Sequence, residues 1–330
     1  MIRRPPRSTR KESSAASDVY KRQFLDSSTF PSNILFPKLS FNHTWKNYKF
    51  TKKAEVKERI NKANIVVTNK IELNKSNLKS AKDLELIAIT ATGTNIIDLD
   101  YCKAHNISVC NLRNYASVSV AEHVLTLMLT LSKNIKGLER DINKKIWQKR
   151  KVFALLSREI NDLNGKTLGI IGKGSIGIKV GKLAKAFGMK VKFFSVRKYK
   201  RIEFKKFISS LDYISIHCPL NRNTENLITI KELKLMKHNL ILINTARGGI
   251  VNEVDLTKAL KRKIIAGAGI DVTTTEPPNP SHAYYSILNK SNFIWTPHTA
   301  WASQETLQGA INQLIENINS FYKGKKRNIV

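Results

Sequence analysis

The sequence has few cysteines and no apolar stretch of membrane length. Its three cysteines, Cys102, Cys110 and Cys218, are too few and too irregularly spaced for a disulfide framework or a zinc site. A reducing compartment, the cytoplasm, is therefore expected, and no metal. The longest apolar run, Val124 to Leu131, is broken by threonine and falls far short of the ~20 residues that cross a bilayer. No membrane partner is expected. Acidic residues are scarce as well: 25 stand against 57 lysines and arginines, a formal net charge of +32. Such an excess can neutralise nucleic-acid phosphates. Here, however, lysines are spread over every segment beside abundant asparagine and isoleucine, as an AT-rich coding bias leaves them. No basic stripe interleaved with aromatics stands out, so nucleic acid is not an expected partner.

What is present fits a globular chain. At 330 residues and 42% hydrophobic content there is material for two domains with their own cores. Residues 1–23 stand apart: they are rich in arginine and serine, contain Pro5-Pro6 and have no apolar periodicity. A transit peptide has that composition. We prefer another reading, because Ile2 to Gln23 resembles the conceptual translation of a sequencing-library adapter joined to a truncated open reading frame. On this reading residues 1–23 are a non-native or disordered basic tail. Phe24-Leu25-Asp26 is then the end of a first strand whose beginning has been replaced by Tyr20 to Gln23.

The chain is organised around Thr167 to Lys198. A short apolar run enters Gly172-Lys173-Gly174-Ser175-Ile176-Gly177, a Gly-x-Gly-x-x-Gly turn; helical spacing follows to Phe187, and Val191 to Phe194 opens a second apolar run. In that context the first glycine makes the turn, the second lets backbone approach a pyrophosphate, and the third lets helix and strand pack closely. Before this unit, strands at Tyr48–Phe50, Ile65–Thr68, Leu86–Ile89 and Ile107–Cys110 alternate with helices over 54–63, 76–81 and 99–105, which argues a parallel α/β sheet. Ser117 to Lys133 is apolar nearly all round and reads as a buried helix, between domains or in a subunit interface. Lys133 to Asn164, holding Trp147 and Phe153, reads as an arm around the glycine-rich domain or a second subunit. After the glycine motif come strands at 211–217, 240–244, 265–270 and 293–295, with helices over 229–236 and 253–261. This is a doubly wound sheet, whose ligands bind at the carboxyl ends of its strands. A last amphipathic helix over 303–322 can return to the first domain.

Three strand ends carry chemistry: Thr245-Ala246-Arg247-Gly248-Gly249, Asp271 through Glu276-Pro277-Pro278, and Thr296-Pro297-His298-Thr299-Ala300-Trp301. With Ala91-Thr92-Gly93-Thr94-Asn95-Ile96-Ile97-Asp98 and the glycine motif, they resemble the D-isomer-specific 2-hydroxyacid dehydrogenases from Phe24 to Val330. Pro297 to Ser303 is most similar to the glycerate dehydrogenase, or hydroxypyruvate reductase, branch. The resemblance implies two doubly wound parallel-sheet domains. A flavodoxin-like substrate domain would span 24–116 plus 303–330, and a Rossmann dinucleotide domain 117–302. It also implies a small 2-keto acid or 2-hydroxy acid as substrate, and a homodimer.

Chemistry fits those residues. Reducing a 2-keto acid needs a cation for the carboxylate and carbonyl, a proton donor, and a hydride held against the carbonyl carbon. Arg247 suits the first role, since a planar guanidinium pairs with a carboxylate. His298 suits the second, oriented by Glu276, because a neighbouring carboxylate favours the protonated ring. Alone, a histidine after Thr-Pro is as readily structural; beside Glu276 and Arg247 it reads as catalytic. By resemblance Thr92, Gly93 and Thr94 hold the substrate carboxylate, together with Arg247 and His298. Cofactor contacts fall on Gly172, Gly174, Ser175, Ile176, Gly177, His217, Cys218, Pro219, Thr245, Ala246 and Asp271, with His217 a wall rather than an acid. An NAD site commonly places an acid about twenty residues past the motif, where this chain has Ser195-Val196-Arg197-Lys198. Ser195 in the acid's place, with Arg197 and Lys198 to neutralise a 2′-phosphate, favours NADP(H) over NAD(H). Short phosphoglycerate or D-lactate dehydrogenases and dinucleotide-sensing corepressors remain the competing readings.

Overall fold

The computed structural model describes residues 19–198 and 200–330, which fall into two compact units. One holds the described residues up to Arg113 together with those from Gln308 onward; the other is Asn114–Leu307. The sequence boundaries were expected at 116/117 and 302/303.

The first unit is built on five parallel strands: β1 (Tyr20–Phe24), β2 (His43–Asn47), β3 (Ile65–Thr68), β4 (Leu86–Ile89) and β5 (Ser108–Cys110). Their order, β2-β1-β3-β4-β5, is the flavodoxin-like one. Every residue of β3 and β4 is buried, so these strands read as unbroken apolar runs, as expected of a parallel sheet covered on both faces. The crossovers carry the short helices α1 (Val56–Ile60), α2 (Lys75–Leu78) and α3 (Leu99–Ala104).

Two expectations are corrected here. Residues 1–18 of the expected tail lie outside the described residues, but Tyr20 to Gln23 do not stand outside the fold: with Phe24 they form β1, paired to β2 and β3. A parallel ladder is made by backbone groups, so polar side chains do not prevent it. The cost falls on Arg22, 1% exposed, whose three guanidinium nitrogens have no hydrogen-bond partner among the described residues. Burial pulls its pKa down to about 9, and the guanidinium lies over the Trp45 ring at 4.2 Å. The strand expected at Tyr48–Phe50 is instead β2, a few residues earlier. Trp45 faces Arg22 in the ladder, and by Tyr48 and Lys49 the carbonyls already serve the turn amides of Ser27 and Ser28.

The second unit has six parallel strands, β6 (Thr167–Ile171), β7 (Lys190–Phe194), β8 (Tyr213–Ile216), β9 (Ile241–Asn244), β10 (Gly267–Ile270) and β11 (Phe293–Trp295), in the order β11-β10-β9-β8-β6-β7. Its helices are α4 (Ser117–Ser132), α5 (Ile135–Asn143), α6 (Ile146–Arg150), α7 (Ser175–Ala186), α8 (Arg201–Ser209), α9 (Ile230–Leu233) and α10 (Glu253–Lys261). The final helix, α11 (Gln304–Tyr322), starts in this unit and from Gln308 belongs to the first. One core includes Ile214, Leu242, Leu256 and Phe293. In the other, Val124 and Met128 of α4 pack with Leu168, Ile170 and Val180. Helix α4 thus packs one face inside its own unit, because a doubly wound sheet needs a helix layer on each face. From β6 the sheet grows one way through β7 and the other way through β8. A crevice opens at that reversal, beyond the strands' carboxyl ends, and doubly wound sheets bind ligands there.

Candidate active site

The glycine turn sits at the reversal. Gly172 has a φ of +105°, open to glycine, and a Cβ there would lie 2.4 Å from the His217 carbonyl oxygen. At Gly177 a Cβ would meet the Gly172 carbonyl oxygen at 2.3 Å, so its absence lets α7 start against β6. Nothing lies within 4 Å of the corresponding point on Gly174, which leaves backbone open to a ligand at the head of a twelve-residue helix. Around this turn is a cavity of 430 Å³ lined by Gly172, Gly174, Ser195, Arg197, His217, Cys218 and Pro219, with Lys173 beside them. Among the described residues no carboxylate lines it. The Lys198 side chain lies outside the described ones. Burial pushes the His217 imidazole down to about 3 and the Cys218 thiol up to about 11, so both are neutral walls at physiological pH. Ser175, Ile176 and Gly177 form the first turn of α7.

Arg247 follows β9 and is aimed by a clasp that the sequence did not reveal. Asn244, the last residue of the strand, accepts from the Ala246 amide and donates to the Arg247 carbonyl, each at 3.0 Å. An Asx turn is the available signal, but asparagine closes many strands without one. The exposed guanidinium bonds only the neighbouring Ala246 carbonyl, at 2.7 Å, and has no acidic partner among the described residues. It is free to take a carboxylate. Thr245 Oγ1 is buried without a partner among the described residues, an orphaned polar atom that a bound ligand would satisfy.

Glu276 and His298 meet as expected: His298 Nδ1 is 2.6 Å from Glu276 Oε2. With Nδ1 turned to a carboxylate, Nε2 is the atom left to exchange a proton with a substrate. The backbone of His298 is left-handed, φ +55°, a conformation that persists in a non-glycine residue only where surroundings enforce it. They do so here. The His298 amide donates to the carbonyls of Asp271 and Thr296, and Trp301 Nε1 donates to the His298 carbonyl. Asp271, 1% exposed, accepts from Thr296 Oγ1 and from the amides of Thr299 and Ala300. The residue expected at the cofactor therefore has both carboxylate oxygens engaged in the turn that carries His298. His123, given no role from sequence, lies 3.1 Å from Thr296 Oγ1 and 3.8 Å from Asp271. Its imidazole is pushed down by burial against the opposing pull of Asp271. Beside the pair is a largely apolar cavity of 540 Å³ that includes Pro277, Tyr285, Leu288 and Trp295.

In the first unit, Thr92, Gly93 and Thr94 follow β4. None of their three amides donates a hydrogen bond among the described residues, while the Thr92 carbonyl accepts from Asn111. Among the described residues no three His, Cys, Asp or Glu side chains are placed to hold a metal ion, and no helix is long and apolar enough to cross a membrane.

Residues 125–300 match the family model described as D-isomer specific 2-hydroxyacid dehydrogenase, NAD binding domain. The glycerate dehydrogenase of Methylorubrum extorquens is 40% identical over 309 residues, spanning 93% of this chain and 98% of that protein. The hydroxypyruvate reductase of Blautia hydrogenotrophica is 31% identical over 284 residues, 84% of this chain and 87% of the other. Among solved structures, the TT0316 protein from Thermus thermophilus superposes with a TM-score of 0.82 at 28% identity, covering 94% of this chain and 99% of that one.

Proposed function

This chain belongs to the D-isomer-specific 2-hydroxyacid dehydrogenases, and from that premise we propose that it reduces hydroxypyruvate, and glyoxylate as a second substrate, to D-glycerate and glycolate. The observation that carries this reading is an unpaired Arg247 together with a His298 held by Glu276. In the proposed reaction Arg247 pairs with the substrate carboxylate and polarises the C2 carbonyl. When bound, a reduced nicotinamide supplies the hydride that C2 receives. His298 gives its Nε2 proton to the carbonyl oxygen as negative charge develops there, and Glu276 keeps the ring oriented through Nδ1. The balance is one hydride and one proton added to one keto acid. In the first unit the free amides of Thr92, Gly93 and Thr94 are assigned to the substrate carboxylate, and this unit to substrate. The second unit is assigned to the dinucleotide.

For the cofactor we favour NADP(H). Ser195 stands where an acid would meet the ribose hydroxyls, and the cavity presents Arg197 and Lys173 with no carboxylate among the described residues. Positive charge without a competing acid suits a 2′-phosphate. A homodimer is supported by the exposed apolar side chains of the arm, among them Trp147, Phe153 and Leu156. The three buried, unpaired cysteines fit a reducing compartment such as the cytoplasm. Steady-state reduction of hydroxypyruvate, glyoxylate, pyruvate and phosphohydroxypyruvate with each cofactor tests this reading. The highest kcat/KM is expected with hydroxypyruvate and NADPH. Higher efficiency with phosphohydroxypyruvate would move the chain to another branch, and a tenfold advantage for NADH would overturn the cofactor assignment.

A further inference from the structure

Glu253 opens α10, where Asn252 caps the helix, and its carboxylate is spent on two contacts away from the reacting groups. Oε1 accepts from the Thr274 amide at 2.7 Å, and Oε2 lies 2.7 Å from His282 Nε2. Both side chains are nearly enclosed, 14% and 10% exposed. His282 is itself fixed: its Nδ1 accepts from the Tyr284 amide, and its ring stacks on Trp295 with centroids 5.4 Å apart. The residue before Thr274 continues the chain of contacts. Thr273 donates its amide to Glu276 Oε1 at 3.0 Å, leaving Oε2 for His298, and its hydroxyl donates to the Thr275 carbonyl at 2.9 Å. Beneath lies Gly248, where a Cβ would fall 2.0 Å from the Thr273 carbonyl carbon. The Thr273–Thr274 peptide therefore rests on the residue after Arg247 and is held by Glu253 through the Thr274 amide, while the amide of the preceding Val272–Thr273 peptide orients Glu276.

On the functional reading above, we propose that Glu253, clamped by His282, is a positioning residue that fixes the Thr273–Thr274 peptide and so sets the aim of Glu276 at His298. Neither Glu253 nor His282 is assigned a contact with substrate or dinucleotide. Their effect passes through Thr273, which joins the peptide held by Glu253 to the one that donates to Glu276, and small displacements of reacting groups cost large factors in rate.

Three full-length variants test this: Glu253→Ala, Glu253→Gln and His282→Asn. Glu253→Ala is expected to lower kcat with hydroxypyruvate at least about tenfold while the dinucleotide Kd stays within about twofold. Glu253→Gln keeps an oxygen for the Thr274 amide but turns its NH2 group toward the His282 Nε2–H, and is expected to recover part of the loss. A merely structural role would lower the melting midpoint and leave kcat per folded molecule unchanged; that result, or a glutamine no better than alanine, overturns the proposal. If Glu253→Ala does not fold, His282→Asn carries the same expectation. A wild-type protein that reduces none of the keto acids would sink the functional reading separately. The proposal then stands on the NMR chemical shifts of the His298 ring at one fixed pH, which Glu253→Ala should move in the direction that Glu276→Gln moves them. Unmoved shifts contradict it.

Discussion

The His298 ring lies 2.6 Å from Glu276, the carboxylate assigned to orient it. Reduction is therefore expected to fall on the alkaline side of the pH–rate profile, where a neutral ring has no proton to donate. His217 is held neutral, its pKa pushed down to about 3 by burial, so His217→Asn should leave that limb of the pH–rate profile in place. A limb that vanished in His217→Asn would contradict the assignment. The sign for stability follows from the same shift. The unfolded chain takes up a proton on His217 near its ordinary pKa and the folded chain does not, so this contribution is intact above that pKa and is lost as pH falls toward 3. Arg247, Glu276 and His298 were legible because each follows a buried strand within a few residues. Asn244, Glu253 and His282 were not. Glu253 meets Thr274 and His282 at separations of 21 and 29 residues, and the docking of α10 against the turn at Ala283–Ile287 brings Glu253 to His282.

Elements were legible where side chains announce them and obscure where backbone alone decides. β3, β4, β9 and α10 stand close to where apolar runs and periodicity put them, whereas β1 was hidden by its polar residues and β2 was shifted by the turn that follows it. Arg22 is the residue that β1 tolerates least. An unsatisfied buried donor costs about 1–3 kcal/mol, and the contact with Trp45 offsets about 0.5–2 kcal/mol of that at most. Arg22→Leu is expected to raise the melting midpoint by about 3 °C or more; no gain in a thermal melt would show that the site accommodates the charge. The glycine turn offers a contrast within one element. Gly177→Ala forces a Cβ against the Gly172 carbonyl oxygen and should lower the midpoint. Gly174→Ala meets nothing within 4 Å, so it should melt like the parent without cofactor and bind the dinucleotide at least about tenfold more weakly. Equal melts for the two variants would refute the division of roles.

At the scale of the whole molecule the basic charge misdirects, because it is spread over the surface, and the apolar exposure is the informative departure. Phe153 is 99% and Leu156 84% exposed, an unusual placement for such side chains unless a partner covers them. Phe153→Asp combined with Leu156→Lys is expected to convert a dimer into a monomer by light scattering, and a parent that is already monomeric would remove that assignment. The two-domain α/β plan was legible because alternating strands and helices leave few alternatives. Substrate identity was not, since a keto acid's side chain is sensed by shape rather than by a local pattern of residues. The central claim is that Arg247 and His298 serve keto-acid reduction. Its most direct test is the loss of NADPH absorbance on adding hydroxypyruvate to the parent and to Arg247→Ala side by side. Rapid oxidation by the parent, slowed about a hundredfold or more in the variant, is the expected result. Equal rates in the two proteins, or no oxidation by a folded, dinucleotide-bound parent, would contradict it.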